Sequence, residues 1–383
     1  MTRDTVDVAI IGGGIVGLMT ARHLLAEGLS VALVEAGDLG AAASGANAGS
    51  LHLQVQYPEF ISLGEGWARA YIPCLRFLKA SLAMWAELEE ALGAPLGVGQ
   101  RGGLIVAKTE EQMSRIAAKA RIEAEAGVVT DVLDRTQLRE LAPYLAPDAI
   151  GGGFCAEEGK ANPLLVTPAL AGAVTRAGAR VLTGTRVTGL APVQGGFVLA
   201  TDKGPIACER VVNAAGAAAG RIGEMVGTPL AIGGFPLQVT VTEPVGPIVP
   251  HLVYSAAGKL SLKQLANGGC VIGGGWAAQE RADGGLTLNP ARFAGNMAMA
   301  ARVVPALTQA RALRSWTAWV NGTADWRPIL GEDPGTPGLV HALFPWVGFS
   351  AGPMTARVAA DLTLGRAPSM PLEGVSHLYD AKA

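Results

Sequence analysis

Val6-Asp-Val-Ala-Ile-Ile-Gly12-Gly-Gly14-Ile-Val-Gly17-Leu-Met-Thr-Ala-Arg-His-Leu-Leu-Ala-Glu-Gly28-Leu-Ser-Val-Ala-Leu-Val-Glu35 reads as three elements in a row. Val6–Ile11 is a continuous apolar run of strand length. Ile15–Glu27 has Val16, Met19, Leu24 and Leu25 at helical spacing, with Gly28 as its stop. Ser30–Glu35 is the second apolar strand. A strand, a glycine turn, a helix and a strand in about 30 residues predict a parallel βαβ unit. Gly12, Gly14 and Gly17 give Gly-x-Gly-x-x-Gly at the strand–helix junction. Gly12 permits the tight turn, Gly14 lets the backbone approach a pyrophosphate, and Gly17 lets helix and strand pack closely. The helix N-terminus offers N–H groups and a partial positive charge to the phosphates. Glu35 closes the second strand, where a carboxylate accepts ribose hydroxyls and repels a 2′-phosphate. The unit predicts a dinucleotide site, and its residues alone do not separate FAD from NAD.

Outward from this unit the composition narrows the class. Half of the 383 residues are hydrophobic, enough for a large core or for two lobes sharing an interface. Thirty basic and 32 acidic side chains leave a net charge of −2, and no basic block suggests nucleic acid or an anionic membrane. Cys74, Cys155, Cys208 and Cys270 are widely spaced with no Cys-x-x-Cys pair. That argues against a chain-borne iron–sulfur cluster, a structural zinc or a disulfide framework, and predicts a reducing, cytoplasmic setting. Val8–Ala21 is apolar enough to mimic a signal-peptide core. Asp4 and Asp7 precede it where positive charge belongs, and three glycines interrupt it. No apolar run reaches the 18 residues of a membrane span.

Further along, residues 67–92 and 109–126 read as helices, the second with many charges, and Leu104–Ala107 as a strand between them. Leu165–Ala177 reads as a helix and Arg180–Thr183 as a strand. Arg186–Val193, Gly196–Thr201 and Gly204–Cys208 suggest an antiparallel meander, and Glu209–Ala215 a buried strand. Leu237–Thr242, Leu252–Ser255, Leu260–Gln264 and Cys270–Gly274 cluster as strands. Pro290–Val304 and Pro353–Leu364 read as helices. Strands alternate with helices early and cluster later. This order predicts an α/β fold: a Rossmann-like doubly wound domain over 1–90, 145–225 and 320–383. A mainly antiparallel substrate domain, 91–144 and 226–319, is inserted into it.

Three more small-residue segments could approach a bulky ligand. Ser44-Gly-Ala-Asn47-Ala48-Gly49-Ser50-Leu51 carries a short amide, and its alternative reading is an ordinary loop. Asn213-Ala-Ala-Gly216 ends a buried strand. Gly348-Phe-Ser-Ala-Gly352 precedes the last helix, whose dipole could face a ligand that gains negative charge on reduction. For the last two the alternative is close helix–sheet packing.

Val8-Ala-Ile-Ile-Gly-Gly-Gly-Ile-Val-Gly17, Asn213-Ala-Ala-Gly216 and Gly348-Phe-Ser-Ala-Gly-Pro-Met-Thr355 together resemble the D-amino acid oxidase-like superfamily of FAD-dependent oxidoreductases, which includes glycine and sarcosine oxidases. The likeness runs over nearly the whole chain. Ser44-Gly-Ala-Asn-Ala-Gly-Ser-Leu-His-Leu-Gln54, with Lys263-Gln264, is most similar to flavoprotein (beta) subunits of opine oxidases, D-hydroxyproline dehydrogenases and hydrogen cyanide synthase-type complexes. The resemblance implies FAD as cofactor. It places Ile15 and Val16 at the pyrophosphate and Glu35 and Ala36 at the ribose and adenine. Ser44, Asn47, Ala48, Gly49, Ser50 and Leu51 would wrap the ribityl chain and ring. Val187 would hold adenine through its backbone, and Gly216 would line the pyrophosphate. Gly348, Phe349, Ser350 and Thr355 would touch the pyrimidine side.

It also implies oxidation of a C–N bond next to a carboxylate, with hydride passing to flavin N5. The cofactor carries the hard step, so no strong acid–base dyad is required. His52 follows the wrapping loop and has two readings, a substrate contact or a structural histidine. Gln54 is its same-face neighbour if the segment is extended. Lys263 and Gln264 point to opposite sides of one strand; one could reach the substrate, and a solvated side chain is the default for the other. Trp346 walls the pocket or fills a core. Relatives grip the substrate carboxylate with an arginine in an Arg-Pro pattern before an Asp. Here Trp319-Val-Asn-Gly-Thr-Ala-Asp325 has none, and Arg327 stands in a shifted position. That disfavours glycine and ordinary D-amino acids and favours a larger substituted amine such as an opine. With no cluster motif and no second dinucleotide clamp, the resemblance implies a hetero-oligomer whose other subunits carry an iron–sulfur centre or a second nucleotide. The competing readings are a stand-alone oxidase of glycine, sarcosine or a D-amino acid; an FAD-carrying assembly subunit with no substrate of its own; and a flavoenzyme for a hydroxy acid or glycerol phosphate.

Overall fold

The computed structural model describes residues 5–380, so Asp4 lies outside the described residues. The βαβ unit forms as read, with strands Val6–Ile11 and Val31–Val34 parallel and helix Ile15–Ala26 between them. They lie inside an eight-stranded sheet whose main path runs Ile329–Glu332, Leu339–Leu343, Ile206–Asn213, Val6–Ile11, Val31–Val34, Arg180–Leu182. The central strands are buried on both faces, as a parallel sheet requires, and that explains their unbroken apolar runs. Helices Ile15–Ala26, Ile72–Leu92, Pro163–Arg176 and Gly348–Thr363 cover one face around a core that includes Leu18, Phe77, Trp85 and Phe344. The meander Val187–Val193 and Gly196–Thr201 extends the other side.

The second sheet also has eight strands, in the order Ala312–Gly322, Gly233–Pro244, Gly269–Gly273, Ser261–Gln264, Leu252–Ser255, Gly103–Ala107, Gly151–Cys155, Asp131–Leu133. All neighbours are antiparallel except Leu252–Ser255 with Gly103–Ala107. Helix Pro290–Val303 closes a separate core that includes Leu262, Ile272 and Val303. Strand Gly151–Cys155 belongs to this sheet, although its position in the chain suggests the nucleotide half.

Three elements differ from the sequence reading, and one helix forms as read but with an unexpected buried pair. Residues 204–215 are not two strands. One strand, Ile206–Asn213, pairs antiparallel with the meander at its start and parallel with Val6–Ile11 along its length. The long helix at 67–92 is two helices, Tyr57–Ala70 and Ile72–Leu92. Each starts with proline in its first turn, where a missing N–H costs nothing. The helix Glu110–Glu125 is charged, yet Lys119 and Glu123 are buried inside the protein rather than solvated. The closing helix begins at Gly348, so the glycine segment is its first turn and Pro353 lies within it. An interior proline costs roughly 3 kcal/mol. It removes the bond to the Phe349 carbonyl, and side chains of helix Ile72–Leu92 anchor the turn around it. The Ser350 carbonyl accepts Ser81 Oγ (2.8 Å) and Trp85 Nε1 (3.1 Å), and Met354 N–H turns to Ser81 Oγ (3.3 Å). Among the described residues no helix is long and apolar enough to cross a membrane.

Candidate active site

The glycine turn is shaped by close packing. A Cβ on Gly12 would fall well inside contact with the Ala214 carbonyl, and one on Gly17 inside contact with the Gly12 carbonyl. Glu35 holds the turn from below, accepting Gly13 N–H and Gly37 N–H, both at 2.7 Å. Its backbone bonds Leu182 O (2.9 Å) and Thr185 N–H (2.8 Å), which draws the segment leading to Val187 alongside the end of the second strand. Ser44 Oγ accepts Ile15 N–H at 2.9 Å, so the second small-residue segment is tied directly to the first helix.

These residues fit FAD on two observations. The helix starting at Ile15 has no side-chain cap and no acid in its first turn, and neither has the helix starting at Gly348. Apart from Ile15 N–H, which Ser44 Oγ takes, both positive ends are left for an anionic or reducible group. Gly216, at φ +56°, and Gly348 have open space where a side chain would stand.

Between the two sheets lies a cavity of about 450 Å³. Asn47, Ala48, Ser50 and His52 form one wall, with Val347, Phe349 and Ser350 of the closing helix beside them. Strands Gly233–Pro244, Leu252–Ser255 and Ser261–Gln264 supply the opposite wall. Ser350 ties the first wall together: its Oγ accepts His52 N–H at 2.8 Å and donates to Ser50 O at 3.2 Å. The segment 48–51 therefore runs across the N-terminus of the closing helix, and Ser50–Leu51 pairs antiparallel with Gly159–Lys160.

The sequence-chosen residues divide into groups. His52 faces the cavity. Its Nδ1 lies 2.7 Å from Tyr254 Oη and the rings stack, leaving Nε2 as the ring nitrogen without a partner among the described residues. Burial, with the Lys263 charge nearby, pulls its pKa down to about 3, so the ring is neutral at physiological pH. Gln54 also lines the cavity, but its amide is fully committed. It donates to Gly103 O (3.2 Å) and Glu158 (2.9 Å) and accepts Lys119 Nζ (3.0 Å). Chain extension ends at Leu51, so His52 and Gln54 are not paired on one strand face. Trp346 lines the cavity.

Lys263 and Gln264 are both fully buried, and neither is solvated, because elements cover this strand on both sides. Lys263 Nζ donates to Ser50 Oγ and, at 3.3 Å, to Ser261 Oγ. It stands directly behind two lining serines. Burial, then the charge of Lys160, lowers its pKa to about 7. Gln264 points away: its Oε1 accepts Ile248 and Val249 N–H, and its Nε2 donates to Gly246 O at 2.7 Å. It shapes the 245–249 loop and does not line the cavity. Asn47 likewise uses its amide on its own loop, donating to Ala43 O and Ser44 O and accepting Gly49 N–H. Thr355 is buried two turns inside the closing helix with its hydroxyl on Ala351 O, away from the cavity.

Several residues were not singled out from the sequence. Tyr254 has no motif signal; only its strand places it opposite His52. Glu158 and Glu123 are buried and hold the main chain beyond His52. Glu158 Oε1 accepts Leu53 N–H (2.6 Å) and Gln54 N–H (2.8 Å), and Glu123 Oε1 accepts Val55 N–H (2.7 Å) and Lys119 Nζ (2.6 Å). Burial raises the Glu158 pKa, opposed by those donors. Arg327 is latched to Asp380 and is absent from the cavity lining, whose basic residues are His52, Lys119 and Lys259.

Comparison with known proteins agrees with this geometry. The family profile described as "DAO: FAD dependent oxidoreductase" matches residues 7–362. The chain is 30% identical over 343 residues to an opine oxidase subunit of Rhizobium meliloti, covering 87% of this chain and 86% of that one. It is 30% identical over 366 residues to glycine oxidase of Geobacillus kaustophilus, covering 93% and 92%. The crystal structure of glycine oxidase from Geobacillus kaustophilus superposes with a TM-score of 0.81 at 27% identity, over 98% of both chains.

Proposed function

The chain belongs to the DAO family of FAD-dependent oxidoreductases, and on that premise we propose that it oxidises the C–N bond of an amino-acid-derived amine. The substrate is an opine, D-hydroxyproline or a similar secondary amine, and the chain acts as the catalytic flavoprotein subunit of a hetero-oligomer. The observation that carries this reading is the cavity bounded by the 47–52 wall and the second sheet, with a neutral histidine facing it and no arginine in its lining.

FAD, when bound, supplies the hydride acceptor. Gly12, Gly14, Ile15, Val16, Gly17 and Glu35 would hold its nucleotide half, with Ala36, Val187 and Gly216 around it. Ser44, Ala48, Gly49, Ser50 and Leu51 would lie along its ring, with Gly348 to Ser350 at the helix N-terminus. His52 orients the amine. With Nδ1 engaged by Tyr254, Nε2 is left to meet the substrate N–H or carboxylate. The apolar walls exclude water from the reacting carbon. Lys263, buried behind Ser50 with a pKa of about 7, can hold or release a proton at neutral pH without touching the substrate.

The missing guanidinium supports a substrate with more than one handle. The similarity to a protein named as a subunit supports a hetero-oligomeric partner; in this reading the partner carries an iron–sulfur centre or second nucleotide and takes the electrons. Four free, buried cysteines support a cytoplasmic setting. Anaerobic bleaching of the yellow protein by opines, D-hydroxyproline, sarcosine, D-amino acids and hydroxy acids tests the substrate. Bleaching by hydroxy acids and by no amine would overturn the reading. Oxygen uptake by the chain alone, against co-expressed neighbours, tests the acceptor; rapid peroxide formation by the isolated chain sinks the partner.

A further inference from the structure

Two non-glycine residues have positive φ among the described residues, Trp326 at +71° and Trp346 at +58°. Both are tryptophans, both line the cavity, and they stack on each other with centroids 5.3 Å apart and planes 23° apart. A bulky side chain in the left-handed region is strained, and such strain persists only where surrounding bonds impose it. Here they do. Around Trp326, Trp67 Nε1 donates to Asp325 O (2.8 Å), Thr323 Oγ1 to Arg327 O (3.0 Å), and Arg327 N–H to Asp325 Oδ1 (3.2 Å). His377 and Asp380, near the end of the described chain, engage Asp325 and Arg327 on either side of Trp326. Trp346 is fixed by its N–H to Asn321 O (2.9 Å) and its Nε1 to Thr323 O (3.0 Å). Its ring lies over Gly322, where a Cβ would collide with it, and Phe235 packs 4.5 Å from its centroid.

The fold thus holds two strained indoles in one arrangement, and both open on the cavity. A merely structural aromatic cluster needs neither left-handed tryptophan. We propose that Trp326 and Trp346, with Phe235, form a preset aromatic wall that selects an amine substrate by a bulky apolar substituent, an aliphatic ring or branched chain, on its nitrogen or α-carbon. This rests on the amine-oxidation reading of the cavity and names its substrate class. The wall replaces with apolar area part of the grip that an arginine would give, and it makes small amines poor substrates. Preorganised rings lose little freedom on binding, so area buried against them converts well into affinity.

The test uses the FAD-loaded chain and two series. The first is a set of amines sharing one amino-acid core, with N-methyl, N-isobutyl and N-cyclohexylmethyl groups, read by anaerobic bleaching. The second is a set of unreactive acids, acetate, 3-methylbutanoate and cyclohexanecarboxylate, read by flavin difference spectra. Half-saturating concentrations should fall by about fourfold for each methylene buried against the wall. Trp326→Gly and Trp346→Gly, at positions whose positive φ glycine accepts, should flatten that dependence, weakening the large members of each series far more than the small ones. Trp326→Phe, which keeps a ring, should retain part of it. A flat response to size in the wild type overturns the proposal whatever the variants do. Bleaching by all amines without size preference defeats the wall and leaves amine oxidation standing. Size-dependent acid binding with no bleaching by any amine defeats amine oxidation and leaves the wall standing.

Discussion

Lys263→Met should stabilise the protein at pH 6.5 and destabilise it at pH 10. The lysine is fully buried, and burial with the nearby Lys160 charge brings its pKa from 10.5 to about 7. In the unfolded chain it titrates at its ordinary value. The folded value is the lower one, so the lysine's contribution to stability is most favourable above pH 10.5 and worsens as pH falls toward 7. At 1.36 kcal/mol for each pH unit, the charged form costs the fold roughly 5 kcal/mol at pH 6.5, and about 1 kcal/mol at pH 10. Methionine removes that penalty but forfeits the bonds to Ser50 Oγ and Ser261 Oγ, worth about 1 kcal/mol each. The net is about 3 kcal/mol of stabilisation at pH 6.5 and about 1 kcal/mol of destabilisation at pH 10. Urea unfolding followed by tryptophan fluorescence at the two pH values, FAD saturating throughout, reads the difference. A variant destabilised equally at both would show that Lys263 is charged and fully compensated in the fold, and would refute the reasoning.

Gly17→Ala should lower FAD content at least tenfold in the purified protein, read by the flavin-to-protein absorbance ratio, because its Cβ meets a backbone carbonyl that cannot yield. The wild-type bleaching rate should show an inflection near pH 7 that Lys263→Met removes, with none remaining from His52, whose pKa lies near 3; stopped-flow rates from pH 5 to 9 decide it. Lys119→Met should destabilise by about 3–5 kcal/mol, leaving the Glu123 carboxylate buried without its cation, and adding Glu123→Gln should restore much of it, measured by denaturant unfolding. Ser81→Ala should cost about 1–3 kcal/mol by the same measurement, because Met354 N–H and the Ser350 carbonyl both lose their bond to its hydroxyl.

The nucleotide half was legible because its signal is local. Gly12, Gly14 and Gly17 in register with two apolar strands leave one reading of the local fold, a parallel βαβ unit, and Ser50 and Ser350 were singled out through family resemblance. The substrate half was not, for a physical reason. Lys119 and Glu123 stand four apart on a helix, the spacing of a solvated surface pair, and only tertiary packing buries them. Tyr254 and Trp326 occupy ordinary positions in the chain and meet His52 and Trp346 across more than one element. Pro353 argued for a helix start because its compensation, Ser81 and Trp85, sits some 270 residues away. Gln54 and Gln264 had the right polarity for a site, but their amides are spent on bonds inside the protein, which no local pattern records.

The buried carboxylates under the 53–55 segment tie the ring-wrapping stretch to parts of the chain far from it in sequence. Glu123 stands on helix Glu110–Glu125 and Glu158 follows strand Gly151–Cys155, yet the N–H groups they hold belong to Leu53, Gln54 and Val55, directly after the stretch that would wrap the ring. That stretch has only two residues of strand of its own. Its course is therefore fixed in part by carboxylates that come from outside it. Flavin retention should therefore report on a seam far from any phosphate: loss of either acid should loosen the ring-wrapping stretch while the glycine turn stays intact.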